Sequence, residues 1–576
     1  MMRSSKESRI RMLTTISRKL RQVAADPVLR RYLAGRALGR WPSLGTPVIG
    51  PVPGMGSWPA RAEAGHRAWL ELQDGCSGGF LPLPGLSVRA APDLFDHTFA
   101  DGEALSALHR FAWLPLQGTD ACFRNVQMLW AAWRARFAAP DDSPAWEAYT
   151  AAERVINMLD LGRRAGLPAP LQDTVAVLAA HAPAIAERLE YFGEHATCNH
   201  LFNNARGLYR LGCDLGMPDW ADWAASLLRR EAERLFLPSG VLREGSSHYH
   251  LLYVRNAADC WLAARRAGRA DEAREWQELT ARLMAVLPHL ALPGGLPLVG
   301  DVSPDSPPVF LAGLLPGGAP MAGWTGLLPA NERDAVIALR DRIAPADTRL
   351  LTTDGWLRVD ARGWSGLWYA APEGWCFSPG HGHQDVGACE IHFGSVPLFI
   401  DPGRGAYGEE GDAALFRSAE AHGGLQVEGA DPYPANKPYY PPEFRRAVGG
   451  RPPRLEAGED RVHLAFEGFT RLDGVGQVTR QWCFAAGRLE IEDKVAGRGR
   501  RRITRRLVTP HPVRRDGSAA IIETSAGHFA VSSSTGLEIV ASKRWVAYGQ
   551  PEPAWAIWWD ADADLPWNGR ITVEKL

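Results

Sequence analysis

Residues 379–422 read PGHGHQDVGACEIHFGSVPLFIDPGRGAYGEEGDAALFRSAEAH, a stretch with reactive side chains that the flanking sequence lacks. His381 and His383 stand two positions apart, so an extended backbone would project both toward the same side. Asp401 follows the apolar and β-branched run 391–400, which predicts two strands around a turn at 394–397. The stretch therefore predicts polar groups gathered at strand ends, with His422 after a further irregular or helical segment.

Two histidines and one aspartate at strand ends are a reasonable three-ligand set for a divalent metal such as zinc, with water or a protein group in the fourth position. The chain has sixteen histidines, however, so an HxH pair also arises by chance. A Gly-His-Gly-His turn is equally compatible with a solvated loop. A second polar cluster elsewhere in the chain would favour a functional site.

Composition places the chain among ordinary globular proteins. It has 576 residues, 46% hydrophobic and 22% charged, a length that predicts more than one domain. A formal net charge of −1 argues against nucleic acid as a partner. The eight cysteines include no CxxC pair, which favours buried free thiols over disulfides or a thiolate metal site.

The first residues are basic and amphipathic, and we treat residues 1–45 as a separate N-terminal segment. No apolar core of a secretory signal follows the positive charges, and no run later in the chain is long enough to span a membrane. The segment fits a helix packed on the protein or one lying on a membrane surface. We expect a cytoplasmic protein, with the periplasm as the alternative.

The residue pattern of the sequence changes twice along the chain. Residues 40–100 are rich in Gly and Pro, which predicts irregular structure with two short strands. Residues 104–344 show apolar residues at three- and four-residue spacing in segments that end at Gly or Pro, the pattern of helical hairpins. After residue 350 the segments are short, alternating and aromatic, which predicts an antiparallel β-sandwich or barrel. We expect domains at 46–345 and 346–576.

The helical region contains two polar islands that amphipathic helices do not need. Residues 197–206 read TCNHLFNNAR, in which Asn199 is a plausible N-cap but His200 has no capping duty. Residues 243–250 read REGSSHYH, in which Ser246 or Ser247 would cap the next helix and Tyr249 would be either packed surface or functional. Imidazole and phenol groups clustered at a helix start are unusual for packing alone.

Five motifs in this order resemble the heparinase II/III and oligoalginate lyase group of polysaccharide lyases. They are NHLFNNARGLYRLG, GSSHYH, GHGHQD, FIDPGRGAYG and EAH, spread over about residues 150–430. The resemblance implies a multidomain α+β fold, with an incomplete (α/α) toroid followed by an antiparallel β-sandwich and the active site between them. It also implies a polysaccharide or oligosaccharide containing uronic acid as substrate, and leaves a homodimer open.

The resemblance also implies roles for individual residues. Asn199 and His200 would neutralise the uronate carboxylate, Tyr249 would be the catalytic base and, in a syn elimination, also the acid, and His381 would assist as the other proton carrier. A structural Zn²⁺ would be held by His383, Asp401 and His422. The family usually follows the last of these histidines with asparagine, whereas this chain has Gly423. Candidate contacts to substrate are Asn203, Arg206, Arg243, Glu244, His248 and Arg404, with solvent exposure as the alternative for each arginine.

The chemistry suits these residue types. A uronate lyase removes the C5 proton and expels the C4 oxygen, so negative charge develops on the carboxylate and neutral donors around it stabilise that charge. A tyrosine base must ionise more readily than its usual pKa of about 10 allows. We expect His200, His381 and Arg243 to favour the phenolate of Tyr249. No water-activating carboxylate pair is needed.

Two other functions remain open from the sequence. A non-catalytic glycan-binding or exopolysaccharide assembly protein would keep the fold without turnover, and a metal-dependent glycan hydrolase would use the HxH site. The choice among glycosaminoglycan, alginate and bacterial exopolysaccharide depends on loops outside the motifs.

Overall fold

A computed structural model describes residues 23–42, 79–118, 121–193 and 197–576. Most of the predicted basic N-terminal segment and much of the Gly- and Pro-rich region lie outside these ranges. In the described part of the chain, no helix combines the length and apolarity needed to cross a bilayer.

Helices fill the first part of the described chain, from residue 102 to residue 353. The sequence predicts helical hairpins over residues 104–344, and the long helices lie within this region. The helices are α1 Pro27–Ala37, α2 Gly102–Arg110, α3 Trp113–Gln117, α4 Phe123–Phe137, α5 Ala148–Ala165, α6 Leu171–Glu187, α7 His200–Asp214, α8 Pro218–Leu235, α9 Ser247–Arg266, α10 Ala270–Met284, α11 Leu287–Leu290, α12 Pro308–Leu311, α13 Trp324–Leu327, α14 Ala330–Arg342, α15 Thr348–Thr353, α16 Gly411–Leu415 and α17 Pro442–Gly449.

The long helices form an incomplete α/α toroid of antiparallel hairpins. The helix α7 packs against α8 and α5, and α9 packs against α10 and α7. Helices α5, α7 and α9 are the inner row, and residues 247–264 of α9 are all buried. The N-termini of these three helices face the same way, so their first residues come together at one end of the toroid.

Strands follow the helices, and the change from helix to strand falls between Thr353 and Trp356. Two short strands are predicted within residues 40–100, and the strands Phe80–Leu83 and Leu86–Arg89 of this region pair as an antiparallel hairpin. The strands are β1 Phe80–Leu83, β2 Leu86–Arg89, β3 Trp356–Ala361, β4 Trp364–Tyr369, β5 Glu390–Phe393, β6 Val396–Phe399, β7 Leu425–Val427, β8 Arg454–Ala457, β9 Arg461–Phe466, β10 Val475–Ala485, β11 Arg488–Thr509, β12 Val513–Asp516, β13 Ala519–Thr524, β14 Gly527–Ser533, β15 Gly536–Ala547 and β16 Gln550–Lys575.

Two antiparallel sheets pack face to face as the predicted β-sandwich. One sheet has the order β3-β4-β5-β6, and the other has ten strands with β11 and β16 at its centre. Their inward side chains share one core, in which the rings of Trp368 and Trp482 lie 5.5 Å apart. This core supports the β5–β6 hairpin, the strand pair predicted for residues 391–400.

Two strands are longer than the sequence pattern predicts. The segments AWAIWWDA and ITVEKL read as separate strands but belong to the single strand β16. RLEIEDKV likewise continues through Gly497 and Gly499 to the end of β11. These glycines sit at a register shift between Val495 and Gly499, where positive φ lets the strand bulge and continue. From the sequence alone, such glycines predict a turn and therefore the end of the strand.

The helix α1 packs on the β-sandwich. The Tyr32 ring is buried against Tyr440 and Phe444, and its hydroxyl donates to the Tyr439 carbonyl at 3.1 Å. The described part of the N-terminal segment, α1, therefore packs on the protein. The part before residue 23 lies outside the described residues.

Candidate active site

The N-termini of the inner helices supply the first half of the site. Ser246 caps α9, its Oγ accepting the Tyr249 N–H at 3.1 Å, as predicted, and this fixes Tyr249 in the first turn. Asn199 occupies the N-cap position of α7, but its side chain makes no capping bond. It donates instead across the domain boundary, from Nδ2 to His381 Nε2 at 2.9 Å. The amide of Asn199 therefore serves the site rather than the helix.

His381, from the β-sandwich domain, contacts residues of the helical domain. Its ring stacks on the Tyr249 ring with centroids 3.5 Å apart and planes 15° apart. Its Nδ1 lies 3.0 Å from Asp301 Oδ2, so the carboxylate accepts the Nδ1 proton. This leaves the Nε2 lone pair free to accept from Asn199. Asp301 thus holds His381 in the tautomer in which Nε2 is a base.

Tyr249 is paired with a second phenol. Its hydroxyl lies 2.6 Å from that of Tyr407, in the GRGAYG motif. Burial raises the pKa of Tyr249 well above 10, and the carboxylates of Asp301 and Asp305 add to this rise although the hydrogen bond from Tyr407 opposes it. The expectation that its neighbours favour the phenolate is wrong, because burial and acidic groups dominate there. The raised pKa of Tyr249 favours the neutral phenol over the phenolate.

His200 faces the same region from the start of α7. Its side chain is 40% exposed, and its Nδ1 donates to Glu190 Oε1 at 2.7 Å. Burial lowers the pKa of His200, but the hydrogen bond and charge of Glu190 outweigh it, so the net pKa is raised. His200 thus combines a solvent-accessible ring with a partner that favours its charged form, as a group that meets an anion should.

Glu244 and Arg243 lie at the edge of this cluster. Glu244 is fully buried, and neither of its carboxylate oxygens has a hydrogen-bond partner among the described residues. Its Oε2 lies 3.6 Å from His381 Nε2, and burial raises its pKa. Arg243 stacks on the Phe377 ring at 4.0 Å and donates to the Thr197 carbonyl at 3.1 Å.

Two further predicted substrate contacts on α7 are structural instead. Arg206 is 1% exposed and donates to Glu153 and Asp259, both at 2.8 Å. Asn203 is fully buried, and its Oδ1 accepts from Arg206 Nη1 at 3.1 Å. Both residues sit inside the toroid wall, one turn or more below the helix start, so neither faces a ligand in the site.

His248 and Arg404 were also predicted to contact substrate, and the structure buries both. His248 accepts the Ser303 N–H at its Nδ1 (3.0 Å) and is fully enclosed. Arg404 donates to Asp301 Oδ1 at 3.0 Å and to the Ala413 carbonyl, and its guanidinium lies over the Tyr407 ring. Arg404 therefore positions Asp301 and Tyr407 rather than meeting the substrate.

The three predicted metal ligands do converge. Ligand atoms of His383, Asp401 and His422 lie within 4.8 Å of one another, and all three residues are buried. His383 donates from Nε2 to Asp301 Oδ1 at 2.9 Å, which leaves its Nδ1 buried with no partner in the described chain. His422 donates from Nε2 to the Phe416 carbonyl and presents Nδ1 to Asp401 Oδ2 at 2.9 Å.

This donor set fits a divalent cation. The Nδ1 of His383 is an orphaned lone pair, and the Nδ1 of His422 faces a carboxylate that is also an acceptor, so either a proton or a cation must lie between them. Without a metal, burial lowers the pKa of His422 but the Asp401 charge outweighs it, giving a value of about 9. Gly423, where the family usually has asparagine, does not displace His422 from the cluster.

Three residues of the site escaped the sequence analysis. Asp301 binds His381, His383 and Arg404 at once, yet it stands alone between an apolar run and a Ser-Pro segment. Tyr407 lies in the FIDPGRGAYG motif, and its spacing from Asp401 was the sequence feature that could have identified it as a site residue. Glu190 follows the end of α6 and carried no pattern that would reveal it.

Comparison with known proteins supports this architecture. Residues 344–562 match the model of the heparinase II/III-like C-terminal domain family. A crystal structure of heparinase III superposes with a TM-score of 0.60 at 14% identity, covering 83% of this chain and 78% of that chain. No curated protein sequence matches the chain.

Two further solved structures have the same fold. A heparinase III gene product gives a TM-score of 0.54 at 15% identity, covering 84% of this chain and 80% of that one. The heparan sulfate lyase HepC from Pedobacter heparinus gives 0.50 at 15% identity, covering 85% and 79%.

Proposed function

Because the chain carries a heparinase II/III-like C-terminal domain behind an α/α toroid, we propose that it is a polysaccharide lyase acting on a glycan that contains uronic acid. The observation that carries this proposal is the cluster of Tyr249, His381, Asn199 and His200, drawn from both domains. It offers a phenol, an oriented imidazole base and two donors for a carboxylate within one site.

In the proposed reaction His381 Nε2 takes the C5 proton of the uronate. The electron pair of that C–H bond forms the C4–C5 double bond, the C4–O bond breaks, and the neutral phenol of Tyr249 donates its proton to the departing oxygen. Asn199 and His200 stabilise the charge that develops on the carboxylate. The raised pKa of Tyr249 supports the acid role, since a syn route with Tyr249 as base first requires its ionisation.

The direct test is the ultraviolet absorbance of 4,5-unsaturated uronate during incubation with heparan sulfate, chondroitin sulfate, alginate and bacterial exopolysaccharides. We expect a rising signal with at least one polymer, and its loss in Tyr249→Phe. Tyr209→Phe is the matched control, because Tyr209 is a buried phenol of the same domain that bonds to Glu272 instead. Saturated products would indicate a hydrolase, and binding without turnover would indicate a glycan-binding protein; either result contradicts the proposal.

We also propose that a structural Zn²⁺ is held by His383, Asp401 and His422. When bound, the ion would supply charge that fixes the loop after Asp401. The orphaned Nδ1 of His383 supports this, and the burial of all three residues favours a structural over a hydrolytic metal. Elemental analysis of the purified protein should give about one equivalent of metal, lost in His422→Asn.

A histidine outside the cluster supplies the control for metal binding. His392 is equally buried, but it bonds to Glu390 and to the Gly294 N–H, so His392→Asn should keep the ion. Chelation should also lower the melting temperature of the wild type and not that of His422→Asn. A metal-free wild-type protein with an unchanged melting temperature after zinc addition would contradict the site.

A further inference from the structure

A second cavity lies within the helical domain, away from the candidate active site. It encloses about 380 Å³ between α5, α9 and the segment 324–329. Its apolar wall includes Trp324, Leu327 and Leu328, and its polar lining consists of three arginines together with Asp160 and Asn157. A cavity of this size holds a single ring rather than a polymer.

The charges around this cavity do not balance. Arg163 is paired with Glu332 at 2.8 Å, and Asp160 accepts from Arg210 at 2.7 Å. Arg164 and Arg255 line the same cavity, and neither forms an ion pair within 4.0 Å with a carboxylate of the described residues; the carboxylates that act on them do so without direct contact. Their protein contacts are a long bond from Arg164 to the Gly118 carbonyl and one from Arg255 to Asn256 Oδ1. Neither guanidinium group therefore has a carboxylate as a direct partner, although Asp160 lines the same cavity.

Both guanidinium groups are also short of hydrogen-bond partners. Arg255 is 5% exposed, and the Nε atoms of Arg164 and Arg255 are buried with no acceptor in the part of the chain described. Burial lowers the pKa of each group, and the carboxylates that act on them without direct contact, Asp160 on Arg164 and Glu153, Asp259 and Asp160 on Arg255, do not offset it. A desolvated cation without a direct anionic partner costs free energy, which a bound anion would offset.

We propose that this cavity binds a small organic anion of about the size of one acidic monosaccharide. Arg164 and Arg255 would donate to its carboxylate or sulfate group, and Trp324 with the two leucines would cover its apolar face. Guanidinium groups suit planar carboxylate and sulfate oxygens because they donate in parallel pairs.

The cavity is separate from the candidate active site. Tyr149 contacts the His200 ring near the N-terminus of α5, whereas Arg164 stands fifteen residues later, about 22 Å along the helix axis. Arg255 lies six residues beyond Tyr249 on α9, about 9 Å deeper in the toroid. Binding there requires no lyase activity, so this proposal does not depend on the proposed function.

Isothermal titration calorimetry with the full-length protein tests the proposal. The probes are sodium glucuronate and sodium sulfate at constant ionic strength, with glucose as the uncharged ring. We expect saturable 1:1 binding of glucuronate and of sulfate, with either anion preferred, and no binding of glucose. Preference for sulfate would assign the anion group to a sulfate ester, and preference for glucuronate to a carboxylate. Absence of saturable binding by both anions would overturn the proposal.

Variants locate the binding. Arg255→Met and Arg164→Gln should each weaken glucuronate binding at least tenfold, while leaving the ligand-free melting temperature unchanged or higher. Arg229→Gln is the control, since Arg229 is surface-exposed and paired with Glu275 at 2.8 Å. If Arg255→Met fails to fold, Arg164→Gln decides alone. Unchanged binding in both arginine variants, or a fall in ligand-free stability without loss of binding, would contradict the site.

Discussion

Glu244 is a buried carboxylate next to His381, the proposed base. Its carboxylate is fully buried without hydrogen-bond partners among described residues and lies 3.6 Å from His381 Nε2. A buried carboxylate is costly, yet it would become the counterion of His381 once that ring takes a proton. Removing the charge is therefore predicted to lower the activity and to raise the stability of the fold.

We expect Glu244→Gln to lower kcat about ten- to a hundredfold and to raise the free energy of unfolding at neutral pH by about 1 kcal/mol. Burial raises the pKa of Glu244 above the usual 4.5, so the wild type loses stability as pH rises through that raised value. The gain from Gln should therefore vanish below pH 4.5. Urea unfolding at several pH values measures it.

A paired glutamate gives the control for this prediction. Glu332 is buried and bonded to Arg163, so Glu332→Gln should destabilise the protein at neutral pH. Destabilisation by Glu244→Gln at neutral pH would contradict the interpretation, because it would mean that the carboxylate has favourable partners.

Individual site residues could be predicted from the sequence where they lie in one of the two polar islands. Asn199, His200 and Tyr249 stand out because helix starts rarely combine imidazole and phenol groups, and the structure brings them together with His381. Asp301 was missed because a lone aspartate in an apolar surrounding has no local pattern. Arg206 and His248 share an island with functional residues, but helix geometry turns them inward, which spacing alone does not reveal.

At the scale of elements, the toroid depends on close approach of its inner helices. Gly207 of α7 faces α5, where an added Cβ would lie 2.6 Å from Ala152 Cβ and 2.8 Å from its Cα. Neither contact is with a flexible side chain, so α5 and α7 would have to separate. The same two helices carry Tyr149 and His200, so the crossing also sets the floor of the candidate active site.

We predict that Gly207→Ala lowers the free energy of unfolding by about 1–3 kcal/mol, although alanine favours helix more than glycine does. Chemical denaturation measures the change. Gly102→Ala, in the first turn of α2 with open space around it, should stay within about 0.5 kcal/mol of wild type. Equal stability of the two variants would mean that the helices are not in tight contact.

Helices were easier to predict than strands for a physical reason. A helix forms its hydrogen bonds within one segment, so its periodicity and caps are local, and α5 to α10 follow them. The lengths of β11 and β16 depend on partners far along the chain, and the bulge at Gly497 and Gly499 continues a strand that composition would end.

At the scale of the whole molecule, the two domains are joined through the site itself. Asp301, from the helical domain, bonds to His381, His383 and Arg404 of the β-sandwich domain. Backbone bonds accompany these contacts, from the Asp301 N–H to the His381 carbonyl and from the His381 N–H to the Glu244 carbonyl, both at 2.9 Å. One carboxylate therefore links domain docking, the His381 tautomer and the proposed metal ligand His383.

Asp301→Asn should test that link. We expect a loss of kcat of at least about a hundredfold, because an amide does not hold the Nδ1–H tautomer of His381, together with a lower melting temperature. Nitrogen chemical shifts of labelled histidines report the tautomer independently of turnover.

Asp259→Asn is the matched control: it also breaks buried arginine pairs, at 2.8 and 2.5 Å, but entirely within the helical domain. It should lower the melting temperature and leave kcat per folded molecule and the His381 shifts unchanged. If Asp301→Asn retains kcat within about twofold of wild type, or keeps the wild-type His381 shifts, then the orientation of His381 does not come from across the domain boundary.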